Sequence, residues 1–203
     1  MRDVIDRLRA DVRGSPALQF ALVLPVMLML IMGLGELTFQ TYVQSVLTGA
    51  VQKAGRDSTI QGASTQTDTI DAAVQAVVQR VVPSGTFTST RANYDNYSAI
   101  AGEPFTDSPY PSSSGTYDGV CNHGETYVDV NNNGHYDLDL STSGQGGAND
   151  VTKYTMTVTY RRLFPVGFIG WSQNARLSAT TILKNQPYAS QVVNSGTNTG
   201  TCS

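Results

Sequence analysis

Charge is scarce in this chain of 203 residues: Asp, Glu, Lys and Arg together make up 14% of it. Globular domains average about a quarter. The deficit is filled by Gly, Ser, Thr, Asn and Gln, a balance that suits an extracytoplasmic domain better than a cytosolic enzyme. The net charge of −3 gives no electrostatic reason to expect nucleic acid as a partner. Histidine and cysteine are nearly absent, with two of each. No zinc motif, nucleophile elbow, Walker loop or dinucleotide fingerprint occurs. A dyad of Cys121 and His123 would lie in a turn with no group to orient it. These absences exclude the familiar enzyme classes, and no residue is assigned as catalytic.

The two cysteines, Cys121 and Cys202, both lie far from the amino terminus. If that part of the chain is exported, oxidation to a disulfide is permitted. Such a bridge would close a loop of roughly 80 residues and stabilise by about 4 kcal/mol in the chain-entropy model. The alternative is two free thiols.

What the chain does possess is one long apolar run. From Ala17 to Gly35 it reads ALQFALVLPVMLMLIMGLG, with no charge and only Gln19 frankly polar. At 1.5 Å per residue the run spans about 28 Å, close to the hydrocarbon thickness of a bilayer. A cleaved secretory signal has a shorter apolar region ending at a small-x-small site, and none follows here. Arg2, Arg7, Arg9 and Arg13 precede the run, and no Lys or Arg occurs between Gly14 and Gln52. The positive-inside rule then keeps the amino terminus in the cytoplasm and sends the remainder across. Pro25 removes a backbone donor within the span and predicts a kink. Beyond Glu36, Val43, Val46, Leu47, Ala50, Val51 and Ala54 keep a three-and-four spacing that carries the helix to about Arg56. The result is one rod of about 60 Å, half membrane and half stalk, with Gly49 and Gly55 weakening the outer half.

The expected organisation is a basic cytoplasmic leader over 1–14 and a transmembrane and stalk helix over 15–56. An extracytoplasmic α+β domain follows over 57–185, and a flexible tail over 186–203. With the membrane segment set aside, about 130 to 150 residues remain, enough for one modest core.

The segment RGSPALQFALVLPVMLMLIMGLGELTFQ, Arg13 to Gln40, resembles the amino-terminal signature of the TadE/TadG family, pilin-like proteins of the bacterial tight-adherence pilus. In that family a basic leader and a Gly precede an acidic residue and an aromatic, then a Leu/Val/Pro-rich helix closing on Glu. Some members are cut after the Gly by a prepilin peptidase. The resemblance implies Gly14 before the cut, Ser15 as the new amino terminus, and Phe20 as the aromatic. Gln19 stands where the family has Glu, and Pro16 follows the candidate scissile bond. Two fates are open: a processed minor or initiating subunit, or an uncut membrane-anchored assembly factor. The run YRRLFPVGFIGWSQNARLSATTILKNQPY, Tyr160 to Tyr188, also resembles the close of many members. The resemblance implies membrane, other pilus or pseudopilin subunits, secretion machinery and a prepilin peptidase as partners. It also implies residence in a bacterial inner membrane or, after assembly, in an extracellular pilus.

In the expected domain, Ile70, Ala73, Val74, Val77, Val78 and Val81 recur at helical spacing. Asp68 is the expected cap and Pro83-Ser84-Gly85 the stop. Tyr154, Met156, Val158 and Tyr160 alternate with threonines, and Leu177, Ala179, Thr181 and Leu183 do the same, so an antiparallel sheet is predicted. A third strand over Thr86 to Asn93 is weakly signalled. LFPVGFIGW, Leu163 to Trp171, connects the two clear strands. Its apolar tip either folds back as core or presents Phe164, Phe168, Ile169 and Trp171 as a contact wedge.

One stretch carries metal chemistry. Asp129-Val-Asn131-Asn-Asn133-Gly134-His135-Tyr-Asp137 matches the first nine positions of the D-x-[DN]-x-[DN]-G calcium loop. Ca²⁺ takes six to eight oxygens, and alternating oxygen-bearing side chains around a Gly turn converge them. Asp129, Asn131, Asn133 and Asp137 would offer side chains and His135 its carbonyl. Leu140 stands at position twelve in place of the usual Glu, with Asp118, Glu125 or Asp139 as candidates to complete the set. The alternative is a solvated turn. A faint repeat pairs Gly102-Glu103-Pro-Phe105-Thr-Asp107 with Gly124-Glu125-Thr-Tyr127-Val-Asp129, as if a turn were duplicated and its first copy had lost the metal-loop half.

Three function classes follow. One is a structural pilin-like component acting through its helix, a second is a membrane-anchored, calcium-stabilised module for adhesion to a surface, and a third is a periplasmic factor that never leaves the inner membrane.

Overall fold

A single helix, α1, carries the apolar run and continues well past it, over Ser15–Ser58, 44 residues. In the computed structural model the described residues are 15–60, 66–109, 117–164, 167, 170–191 and 196–203. At 1.5 Å per residue α1 is about 66 Å long. Its helical assignment passes through Pro25 without a gap. Its first half is long and apolar enough to cross a membrane, with Leu18, Leu22, Val26, Leu30 and Leu34 exposed.

The second half, read as a stalk, packs on the folded domain. Val43, Leu47, Val51 and Ala54 are buried in the main core, so the folded domain includes this half of the helix. The three-and-four spacing is the signature of a helix face against a sheet as much as of a stalk. Gly55 serves close approach there: a Cβ would meet Leu183 Cδ1 and Thr181 Cγ2, each at 2.6 Å.

The remaining elements are α2 (Thr67–Val78), β1 (Thr86–Tyr94), β2 (Thr126–Asp129), β3 (Thr142–Ser143), β4 (Val151–Arg161), β5 (Asn174–Lys184) and β6 (Asn198–Thr201). Four strands form an antiparallel sheet in the order β3-β1-β4-β5. The fold is α+β, as the patterns predict, and the weakly signalled strand β1 pairs with β4 from Thr86↔Thr159 to Tyr94↔Val151. The inward face of β4, Tyr154, Met156, Val158 and Tyr160, packs with the buried face of α1. β2 and β6 make a separate two-stranded sheet. The expected flexible tail is thus corrected over its last residues: β6 pairs with β2 from Thr126↔Thr201 to Asp129↔Asn198. Short polar strands bury little apolar surface, so their pattern gives no periodic signal.

The sheet has two poles. β4 runs toward the membrane half of α1, bringing Tyr160 against Phe39 with ring centroids 5.9 Å apart. β5 runs back, with Ser178 O accepting from Gln44 Nε2 at 2.9 Å and Leu183 near Gly55. At the far pole a buried knot ties the end of α1 to the sheet. Gln145 Nε2 donates to Ser58 O at 2.8 Å, Thr152 Oγ1 donates to Gln145 O at 2.7 Å, and Asn185 Nδ2 donates to Gln145 O at 3.0 Å.

On α2 the buried face is shifted from the expected stripe. Val74 and Val78 are buried, but Ala73 and Val77 are exposed, and Asp71 takes their place inside. Asp68 lies in the first turn and Gln66 at the cap. The shift follows from a charge network. Asp71 accepts from Tyr154 Oη at 2.6 Å, Ser89 Oγ at 2.5 Å, and Arg91 Nη1 and Nη2 at 3.0 and 2.6 Å. The Arg91 guanidinium lies 4.4 Å from the Tyr154 ring centroid. Burial works to raise the Asp71 pKa, but donors from Arg91, Ser89 and Tyr154, with the Arg91 charge, outweigh it and hold the carboxyl below its ordinary value of 3.8. Burial and the bond to Asp71 push Tyr154 up.

Removing Asp71 would strand Arg91 and Tyr154, so Asp71→Ala is expected to cost about 3–5 kcal/mol by urea unfolding. Because the native pKa is lowered, the stabilisation is complete above the ordinary value of 3.8 and is lost as pH falls through the native value. The urea midpoint of the native chain should drop over that window, and that of Asp71→Asn should drop less.

Candidate functional site

At the membrane pole the apolar run of α1 ends in Gly35 and Glu36, and Glu36 is fully buried. Its Oε1 accepts from Arg162 Nη1 at 3.2 Å and from Gln40 Nε2 at 3.3 Å. Its Oε2 accepts from the backbone N–H of Leu163 at 3.1 Å and of Phe164 at 3.4 Å. Arg162 in turn donates from Nε to Ser172 O at 2.8 Å, its backbone N–H reaches Gln173 O at 2.9 Å, and its guanidinium lies 5.4 Å from the Trp171 ring centroid. One carboxylate therefore latches the β4–β5 loop to the helix, and one arginine ties both legs of that loop together. Gly35 leaves room for the Phe164 ring: a Cβ there would stand 3.1 Å from Phe164 Cε2. Buried Tyr160 sits beside the latch, its pKa raised by burial first and by the Glu36 charge second.

The contact joins the two segments on which the family resemblance rests, the helix closing on Glu36 and the run that begins at Tyr160. Sequence reading marked both and did not pair them, since nothing in the spacing of Glu36 and Arg162 announces a contact. Of the expected wedge residues, Phe164 is half-buried on the helix and Trp171 is exposed, as is neighbouring Leu163. Phe168 and Ile169 lie outside the described residues, as does Gly14. Ser15 is the first residue of α1, and Gln19 and Phe20 are exposed on it.

At the far pole the faint repeat is a symmetric pair. Phe105 and Tyr127, equivalent residues of the two copies, form an antiparallel bridge. Thr106 N donates to Thr126 O at 2.8 Å, and Val128 N to Pro104 O at 2.9 Å. Each copy's glutamate has equivalent partners. Glu103 accepts from Val130 N at 2.7 Å and Asp137 N at 3.1 Å. Glu125 accepts from Ser108 N at 2.8 Å and Asn122 N at 2.7 Å. Val130 follows Asp129 as Ser108 follows Asp107. Each glutamate thus closes the loop that follows the other copy's aspartate. The aspartates correspond too: Asp107 Oδ2 accepts from Gly119 N at 3.0 Å, and Asp129 Oδ2 from Gly134 N at 2.8 Å. The first copy has therefore kept its loop-closing bonds. An insertion between Asp107 and Gly119 hides the likeness in sequence.

The five residues singled out for calcium come together on one turn. Asp129 Oδ1 accepts from Asn133 N at 3.0 Å, Asn131 Oδ1 from Asn133 N at 3.1 Å, and Asn133 Oδ1 from His135 N at 2.7 Å. Asp137 Oδ2 accepts from Asn131 Nδ2 at 2.7 Å and Asn133 Nδ2 at 2.6 Å. Leu140, at position twelve, packs in a small satellite core instead. None of the three acids considered as substitutes takes its place. Glu125 closes the other loop, Asp118 binds Val120 N and Asn122, and Asp139 accepts from Ser141 N. The acid that closes this loop is Glu103, buried and bonded to backbone. Among the described residues no three His, Cys, Asp or Glu side chains gather closely enough to hold a metal. The negative field is nonetheless felt locally: the Tyr127 hydroxyl pKa is raised by burial first, then by Asp129, Glu103 and Asp137.

Tyr136 caps the pair, its ring centroid 5.6 Å from Phe105 and 5.5 Å from Tyr127. Gly200 of β6 lies under the Tyr127 ring, where any side chain would collide. The structure joins Cys121 to Cys202 with Cα atoms 5.7 Å apart, and Cys202 N donates to Glu125 O at 2.8 Å. An open groove of 730 Å³ lies beside Glu103, walled in part by Ala99, Phe105, Val130 and Leu140.

No curated protein and no solved structure matches the chain. The family model described as TadE-like protein matches residues 14–56, nearly the whole of α1 with the latch residue Glu36 inside it, so this helix is the TadE-like part of the chain.

Proposed function

We propose that the chain is a structural, non-enzymatic component of a bacterial tight-adherence pilus, a minor pilin or an assembly protein. The observation that carries the reading is the coincidence of the TadE-like match with α1, one half of which is exposed and apolar while the other is the core helix of the folded domain. Such a helix fits a membrane anchor that moves as one piece with its domain. The arginines of the leader put the amino terminus in the cytoplasm and the domain in the periplasm. Its partners are then other pilus subunits and the secretion machinery, with the exposed half of α1 as the assembly surface. Gln19, exposed where a pilin carries an acid, brings no charge to pair with a neighbour's amino terminus, which suits a subunit present in few copies. Deleting the gene is expected to abolish pilus filaments on the cell surface, with the chain itself found either in sheared filaments with Ser15 as its first residue or in the inner membrane with Met1 retained. Undiminished piliation would overturn the reading.

A second proposal concerns the far pole: the Asp129–Asp137 turn takes Ca²⁺, with Asn131, Asn133 and the His135 carbonyl completing the oxygens. The observation that favours it is that the five residues come together on one turn, with Asp137 Oδ2 accepting from Asn131 Nδ2 and Asn133 Nδ2. With Leu140 at position twelve and Glu103 held on backbone N–H groups rather than aimed at the turn, the site belongs in the weak extracellular range of about 0.1–1 mM. Calcium at about ten times its Kd should add about 1.4 kcal/mol. The thermal midpoint of the full chain should rise in calcium relative to chelator, and Asp129→Asn should erase the difference. An unchanged midpoint and unchanged protease sensitivity would contradict it.

A further inference from the structure

The β4–β5 loop stands level with the end of the membrane span. Phe164 lies against Gly35, the last residue of the uncharged run, and the next residue, Glu36, binds the backbone of Leu163 and Phe164. A run of about 28 Å nearly fills the hydrocarbon layer, so its last residue falls at the boundary with the headgroups. β4 leads toward that boundary and β5 leads away from it, so Leu163 and Phe164 stand at the end of the sheet on that side.

Its chemistry suits the place. The nine residues from Leu163 to Trp171 carry no charge and include two Phe, Ile, Val and the chain's single Trp. Among the described residues, Leu163 is 58% exposed and Trp171 38% exposed, so Leu163 and one part of the Trp171 ring are open to solvent, the Arg162 guanidinium lying 5.4 Å from that ring's centroid. Four backbone donors among the described residues are already satisfied, Gly170 N on Gly167 O at 3.1 Å, Arg162 N on Gln173 O at 2.9 Å, and Leu163 N and Phe164 N on Glu36. A segment entering a lipid boundary needs this. Exposed Arg161 and Arg176 stand on the two strands just behind it, Arg161 opposite Asn174 and Arg176 opposite Thr159, at the height of anionic headgroups. Trp is the residue most at home at that level, its ring in the apolar zone and its N–H in the wet one.

We propose that the β4–β5 loop is a second membrane contact: it dips into the outer leaflet beside α1, with Leu163 and Trp171 in the lipid boundary and Arg161 and Arg176 on the phosphates. The proposal rests on the anchoring reading of α1. It makes the domain sit on the bilayer rather than above it, held at two points that Glu36 keeps together.

Trp171, as the only tryptophan, reports directly. The full chain is reconstituted in phosphatidylcholine and phosphatidylglycerol vesicles, floated on a density gradient, and its emission compared in ordinary and chain-brominated lipid. The proposal expects floated protein whose emission is blue-shifted and loses about half its intensity to bromine, with aqueous iodide quenching little. Floated protein quenched by iodide and not by bromine would overturn the lipid contact while leaving the anchor intact. Emission insensitive to both quenchers would assign Trp171 to a protein contact, such as a second copy, and would also overturn it. Protein that does not float would remove the anchoring reading and this inference together.

Discussion

A carboxylate buried where a long helix leaves its apolar run is the constraint on which the arrangement depends. Glu36 has no exposure, and an unpaired charge in such a place costs several kcal/mol. The chain meets that cost with Arg162 and two backbone N–H groups from the β4–β5 loop. Those donors are more than a hundred residues away in sequence, since Glu36 and Leu163 are separated by 127 positions. Satisfying one acid therefore requires β4 to arrive at the helix with a fixed register. Once it does, Phe39 meets Tyr160 and the buried face of α1 meets the sheet. The Gln145 knot holds the same helix at its other end. Between these two polar fixings lies the apolar core, so α1 is clamped along its second half, while its first half is largely exposed.

Much of this was legible in the residues. The uncharged run, the arginines before it and the three-and-four spacing after it located α1, because a bilayer and a helix face both impose strict patterns. The alternation of Tyr154 to Tyr160 with threonines located β4 for the same reason. What sequence did not disclose were long-range pairings of single polar groups: Glu36 with Arg162, Asp71 with Arg91 and Tyr154, Gln145 with Ser58. A charged residue on a predicted helix reads as solvent-facing, and only the fold reveals that Asp71 faces inward where Val77 was expected. That the stalk half of α1 packs on the sheet was not legible, because periodicity shows that a face is buried but not what buries it.

The far pole was read in part. The Asp129 turn and the repeat were both visible, but the exchange was not: each copy's glutamate closes the other copy's loop. An exchange of this kind makes the two turns interdependent, and the aromatic trio of Phe105, Tyr127 and Tyr136 sits where they meet. The chain end, expected to be loose, is held by β6 and by Cys202. Its tie runs to the second copy of the repeat, so this pole is closed on itself at the end of the sheet away from the apolar half of α1.

The central claim is that Glu36 holds the domain to the helix at the boundary of the span. Hydrogen exchange of the Leu163 and Phe164 amides, read in the full chain in lipid vesicles, tests it most directly. The account predicts slow exchange at both, on the scale of the β4 core amides, and fast exchange in Glu36→Ala with β4 itself still protected. Amides at Leu163 and Phe164 that exchange as freely as an open loop in the unmodified chain would contradict it.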